Sequence, residues 1–201
     1  MGVNYNYQND AIKVDWAANL EIAYNVIINK APMYGLDGAG AHRDFFQITG
    51  GGYDGSSVKI HHNFVGSIFG ESADVGTDAI SSAHIQGVYA EPWGGRWYIY
   101  NNIFAFYHNR GDIINLGDLD GTRTTGFRSL YMFNNTIVHT ITHNYQGQIF
   151  VQSPDTVMYK NNLYYSEQGD IFGGFTLSAL EYYDIDYNQY VVPSTSSFEG
   201  V

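Results

Sequence analysis

An all-β solenoid is the fold this sequence predicts, and three observations predict it. One asparagine recurs six times in a fixed relation to an apolar residue three places earlier. Each recurrence follows a second short run of β-type residues, with Gly-, Asn- and Asp-rich turns between them. The intervals are unequal while the motif is constant, as expected of a stack whose loops vary and whose core does not. No convincing amphipathic helix interrupts the pattern; LSALEYY (177–183) comes nearest and is short.

The strands follow in order. The asparagine motif appears in EIAYNVI (21–27), VKIHHNFV (58–65), WYIYNNIF (97–104), LYMFNNTI (130–137), VMYKNNLY (157–164) and YDIDYNQY (183–190). Its column is Asn25, Asn63, Asn102, Asn135, Asn162 and Asn188, with Ile22, Ile60, Ile99, Met132, Tyr159 and Ile185 three residues before. The upstream runs are DAIKV (10–14), DFFQI (44–48), AHIQG (83–87), DIINL (112–116), QIFVQ (148–152) and DIFGG (170–174). Asparagine tolerates a left-handed turn, and stacked amides bond to one another. The expectation is therefore six turn asparagines in one column of roughly 30 Å, at about 4.8 Å per strand. Buried and unpaired, each polar group would instead cost about 1–3 kcal/mol.

Composition narrows the partners. The 201 residues suit one domain. Hydrophobic residues reach 44%, enough for a core, while charged residues fall to 14% against about 25% in an ordinary domain. Nine Lys+Arg against twenty Asp+Glu leave −11, the wrong sign for a nucleic-acid binder. No run approaches the ~20 apolar residues of a membrane span, and the start MGVNYNYQND carries no signal-peptide pattern. Cysteine is absent, which excludes disulfide and thiol chemistry.

The I-x-x-N-x-[FIV] motifs of IAYNVI, IHHNFV, IYNNIF and MFNNTI resemble those of the right-handed parallel β-helix superfamily, the pectin-lyase-like proteins, over about residues 10–190. The resemblance implies a right-handed parallel β-helix of about six to seven coils. It would form one domain over residues 1–192, followed by a C-terminal tail at 193–201. Related chains include polysaccharide lyases, epimerases, hydrolases, phage tailspikes and non-catalytic modules, so the fold alone selects no reaction. The expected location is extracellular or virion-associated.

Strand alternation then separates core from surface. In DFFQI, Phe46 and Ile48 take the inward phase and Phe45 and Gln47 the outward one. The same phase places Lys13, His84, Gln86 and Asn115 outside. Lys13, Gln47, Gln86 and Asn115 are expected to form one polar row, either a carbohydrate-binding groove or a bland outer face.

Candidate chemistry gathers in GAGAHRDFFQITGGG (38–52). His42 and Asp44 suit an orienting pair for proton transfer, although Asp44 equally suits a turn cap. The H-x-D-x-x-Q pattern of His42, Asp44 and Gln47 is similar to sequences of bacterial and phage β-helix proteins. Asp112 holds the place equivalent to Asp44 two coils on, at an expected separation of roughly 9–10 Å. That lies near the upper end of the inverting-hydrolase range, about 6.5–9.5 Å. Gln47, His84, Gln86 and Asn115 would bind sugar hydroxyls, Trp93 would stack on a ring, and Arg123 would meet a uronate carboxylate. His62 falls in the column of Asn101, Asn134 and Asn161 and serves the turn, while His61 faces outward. The histidines show no metal-ligand spacing, so no metal and no cofactor are called for. The D-x-D-G turn in GDLDGTRTTGFR (117–128) has the oxygen ligands calcium takes, but D-x-D-G alone fits an ordinary solvated turn better.

Two functions follow. The first is a carbohydrate-active enzyme, a glycoside hydrolase or a lyase or epimerase, cleaving or modifying a polysaccharide in a groove on the solenoid face. The alternative is a non-catalytic structural or glycan-binding module of a viral or surface assembly, with self-association through the solenoid ends.

Overall fold

The computed structural model describes residues 12–15, 19–28, 43–49, 57–66, 85–86, 88–90, 95–107, 114–116, 129–140, 149–151, 155–166, 172–173 and 182–191. The tail from residue 193 lies outside them, and the domain limits are not set by them. These residues are all β, without a helix.

The first repeat contributes β1 (Ile12–Asp15), β2 (Asn19–Ala23) and β3 (Val26–Ile28). The second contributes β4 (Arg43–Asp44), β5 (Phe46–Thr49), β6 (Ser57–His61) and β7 (Phe64–Gly66). The third has β8 (Ile85–Gln86), β9 (Val88–Ala90), β10 (Arg96–Tyr100) and β11 (Ile103–Tyr107). Next come β12 (Ile114–Leu116), β13 (Ser129–Phe133) and β14 (Thr136–Thr140), then β15 (Ile149–Val151), β16 (Thr156–Lys160) and β17 (Leu163–Ser166). The last described repeat has β18 (Phe172–Gly173), β19 (Tyr182–Asp186) and β20 (Gln189–Val191).

Each repeat adds one strand to each of three six-stranded sheets. The first sheet runs β1-β5-β9-β12-β15-β18, the second β2-β6-β10-β13-β16-β19 and the third β3-β7-β11-β14-β17-β20. Strand pairing is parallel, including the extra pair β4–β8. An all-β, all-parallel arrangement in sequence order is compatible with a β-solenoid. No helix among the described residues is long and apolar enough to cross a membrane.

Register explains the core. Val58, Trp97, Leu130 and Val157 stand opposite one another, as do Ile22, Ile60, Ile99, Met132 and Tyr159. In the third sheet Val65, Phe104, Ile137 and Tyr164 do the same. All are buried. Like side chains therefore stack on like in columns, each large apolar residue contributing about 1.5–3 kcal/mol on burial. The sequence expectation for the Ile22–Tyr159 column holds. Phe45 departs from it: placed outward by alternation, it is 3% exposed. It sits at the bend between β4 and β5, where the alternation of a single strand no longer applies.

The asparagine motif is a strand, a corner and a second strand, not one run. The left-handed residue is the one before the column asparagine, a correction to the sequence reading. Tyr24, His62, Asn101, Asn134, Asn161 and Tyr187 have φ between 54° and 59°. His62 thus serves the turn, as its column predicts. The corner turns the next asparagine inward, where the amides form a continuous ladder. Nδ2 of Asn25, Asn63, Asn102, Asn135 and Asn162 each donates to Oδ1 of the next asparagine at 2.9–3.0 Å. The backbone N–H of each donates to that same oxygen.

Candidate functional site

By backbone register, the row expected of Lys13, Gln47, Gln86 and Asn115 is changed at one place. Lys13 stands opposite Gln47, Gln47 opposite Tyr89, and Tyr89 opposite Asn115. Gln86 is absent from it: it lies on β8, opposite Asp44 on β4. The glutamine common to AHIQG and DFFQI invites an alignment that is three residues out. The pairing that forms instead sets Ala90 opposite Ile48 and Val88 opposite Ile114, apolar on apolar. The structure places Asp44, Gln47, Gln86 and Asn115 by backbone register, while Lys13 is exposed. His42, His84, Trp93, Asp112 and Arg123 lie outside the described residues, as does the acidic loop 117–128.

A more complete constellation sits where β2 and β6 reach their corners. His61 ends β6 and His62 is the left-handed corner residue after it. Along an unbroken strand the two rings would face opposite sides. The corner rotates His62 so that the two Nδ1 atoms stand 2.9 Å apart. His61 is also not free: it is 5% exposed, and its Nε2 lies 2.7 Å from Glu21 Oε1.

The partners assign the protons. Glu21 as a carboxylate only accepts, so His61 Nε2 carries hydrogen and donates to it. Asn101 Nδ2 donates to His62 Nε2 at 3.2 Å, which makes that nitrogen an acceptor. A neutral His62 then donates from Nδ1 to His61 Nδ1. The chain runs Asn101, His62, His61, Glu21, each link donating to the next. It begins on exposed groups, passes through a buried imidazole and ends on a carboxylate that is 62% exposed.

Aromatic rings hold this chain in place. Tyr24 stacks on His62 with centroids 5.0 Å apart, and His61 stacks on Tyr100 at 4.7 Å. Tyr100 stacks in turn on Phe133 at 4.9 Å. Burial, then the negative charge of Glu21 and the neighbouring Tyr24, pushes the Tyr100 phenol above its usual pKa. Beside this column, Tyr98 and Tyr131 stack at 4.9 Å. They continue a register row that begins with Glu21 and Lys59 and ends with Met158 and Asp184. At its far end Lys160 pairs with Asp184, and this hydrogen bond leads in raising the ammonium pKa.

Glu21, Tyr24 and Tyr100 carry no motif, and the sequence reading passed them by. The available signal was positional: Ala23, His61, Tyr100 and Phe133 precede the corner in successive repeats. A corner with φ near +55° brings residue i and residue i+1 to one side. Among the described residues, no group of three His, Asp or Glu side chains is arranged to hold a metal ion. No protein-family model, curated protein or solved structure matches the chain.

Proposed function

We propose that this protein is a right-handed parallel β-helix of about six to seven coils, acting on a polysaccharide laid along its outer face. It would act outside the cell or on a virion, as a glycoside hydrolase or as a lyase or epimerase. The observation that carries the reading is the chain Glu21–His61–His62, with links of 2.7 and 2.9 Å. A carboxylate that orients one imidazole, which in turn orients a second, is an arrangement suited to general acid–base work. His62 is then the proton-transfer group, and His61 and Glu21 position it. The row Lys13, Gln47, Tyr89 and Asn115 supports an extended ligand rich in hydroxyls, with groups repeating about every 4.8 Å.

His42, Asp44 and Asp112 form the competing acid–base set, with Gln86, His84, Trp93 and Arg123 as substrate contacts. One assay separates the two sets: incubation with a panel of polysaccharides, reading new reducing ends and the ultraviolet absorbance of unsaturated products. Reducing ends alone mean hydrolysis; both signals mean elimination. His62→Asn and Glu21→Gln are expected to lower turnover by about 100-fold or more, the range of a lost general acid or base. Loss in His42→Ala and Asp44→Asn with full activity in His62→Asn overturns the assignment to this chain. A non-catalytic module is the second reading, favoured by large apolar side chains exposed at both ends of the sheets. Glycan-array binding without product formation selects it.

A further inference from the structure

We infer that His61 and His62 take up one proton as a unit, without parting, and that this proton turns the Asn101 amide over. The inference rests on the geometry of the two rings and holds whether or not the protein acts on a polysaccharide.

The link between the rings admits a single hydrogen. Their centroids lie 5.1 Å apart, while the two Nδ1 atoms are 2.9 Å apart. Each Nδ1 therefore lies close to the line joining the ring centres, and the bond between them is close to straight. Such a bond needs a hydrogen on one nitrogen and a lone pair on the other.

Counting hydrogens over the four ring nitrogens separates three states. With two hydrogens both rings are neutral: His61 Nε2 donates to Glu21, and His62 Nδ1 donates to His61. His62 Nε2 is then bare and accepts from Asn101. A third hydrogen has one place that keeps the rings joined, His62 Nε2. The shared hydrogen can then sit on either Nδ1, and the Glu21 carboxylate, 2.7 Å from His61, balances the charge. A fourth would put hydrogen on both Nδ1 atoms, which a 2.9 Å contact does not admit, and the rings part.

The third hydrogen is read by Asn101. With His62 Nε2 protonated, Asn101 Nδ2 would meet it donor to donor. Asn101 is exposed, and among the described residues its side-chain amide meets no other partner. The amide therefore turns over and presents Oδ1. His62 Nε2 is thus an acceptor in one state and a donor in the other, at an exposed corner, and a single proton sets which.

The groups facing the pair favour one added charge over two. Among the described residues, β2 and its corner bring Glu21 and Tyr24, and β10 brings Tyr100. On β6 itself Lys59 stands two residues before His61, opposite Glu21 on one side and Tyr98 on the other. One proton leaves the pair and Glu21 together neutral. A second meets Lys59 with no further carboxylate to offset it.

The test is nitrogen-15 NMR of the full chain, titrated from about pH 9 to about pH 4, on both sides of the ordinary imidazole value. The first proton is expected to bring hydrogen to His62 Nε2 and to move the Asn101 side-chain amide in the same step. The scalar coupling between the two Nδ1 atoms should persist through that step and vanish only with the second proton. Asn101→Asp offers only acceptors and keeps a residue that tolerates the left-handed corner. It is expected to raise the first midpoint by about one pH unit, and Glu21→Gln to lower it by about as much. Coupling lost with the first proton, imidazoles that titrate independently, or an Asn101 amide indifferent to the first step overturns the inference. So does a first midpoint that neither variant moves.

Discussion

Asn102 Nδ2 lies 3.0 Å from Asn135 Oδ1 and 2.8 Å from Ile60 O, so a single amide ties together three successive repeats. Its own Oδ1 receives both the N–H and the Nδ2 of Asn63. A slip of one residue in any strand would orphan these groups in a site that is 1% exposed. The ladder therefore sets register, and the apolar columns supply most of the stability.

Asn102→Ala orphans the two Asn63 donors and thins the bonds to Ile60 and Asn135. With each unpaired buried group costing about 1–3 kcal/mol, a loss of about 2–5 kcal/mol is expected. Asn25→Ala, at the half-buried end of the ladder, is expected to lose about 1 kcal/mol or less. Urea unfolding of both variants checks the difference; equal losses would show that the interior amides carry no special weight.

Asn134 is exposed and holds φ at 57°, so substitutions there read backbone strain without a packing term. Asn134→Gly is expected to be neutral or slightly stabilising, because glycine meets no penalty in this region. Asn134→Val should lose about 1–3 kcal/mol, since a β-branched side chain is an outlier there. Thermal melts in parallel decide it, and a valine variant as stable as the glycine one contradicts the corner geometry.

Gly66 closes β7 against β11. A Cβ at that position would stand 2.6 Å from the Ala105 carbonyl oxygen, which is backbone and cannot swing away. Gly66→Ala is expected to destabilise by about 1–3 kcal/mol through forced strand separation. A melting temperature equal to wild type would mean that the two strands sit further apart.

Burial raises the Tyr159 hydroxyl well above the ordinary tyrosine value and pushes Tyr190 up to about 12. Folding keeps both neutral, whereas the unfolded chain ionises them near pH 10. Their contribution is fully present below about pH 10 and is lost as pH rises through the folded values. Phenolate absorbance should therefore show tyrosines that ionise only on alkaline unfolding. Tyr190→Phe should move that unfolding to higher pH; an unchanged or lower midpoint contradicts the burial argument.

Much of the scaffold was legible because it rests on identities that repeat. Six asparagines and their apolar partners are visible without any knowledge of loops, and Ile60, Ile99 and Met132 are all buried as their column implies. What alternation alone misjudged lies at bends. Phe45 is buried at a break between strands, and the left-handed residue stands one place before the asparagine that advertises the corner. Gln86 was misplaced because a single shared glutamine outweighed the apolar pairing that sets register. The Glu21–His61–His62 chain was hidden for the same reason: its geometry comes from a positive φ at His62, which strand periodicity does not encode.

The most direct check on the whole account is a nuclear Overhauser map of the asparagine side-chain amides in solution. Contacts are expected between residues 38, 39, 33, 27 and 26 apart, running from Asn25 to Asn188 in one unbroken series. The buried members should exchange their side-chain amide protons slowly with solvent. Six amides that exchange like free carboxamides, each seeing only its own residue, would contradict the stack and everything placed on it.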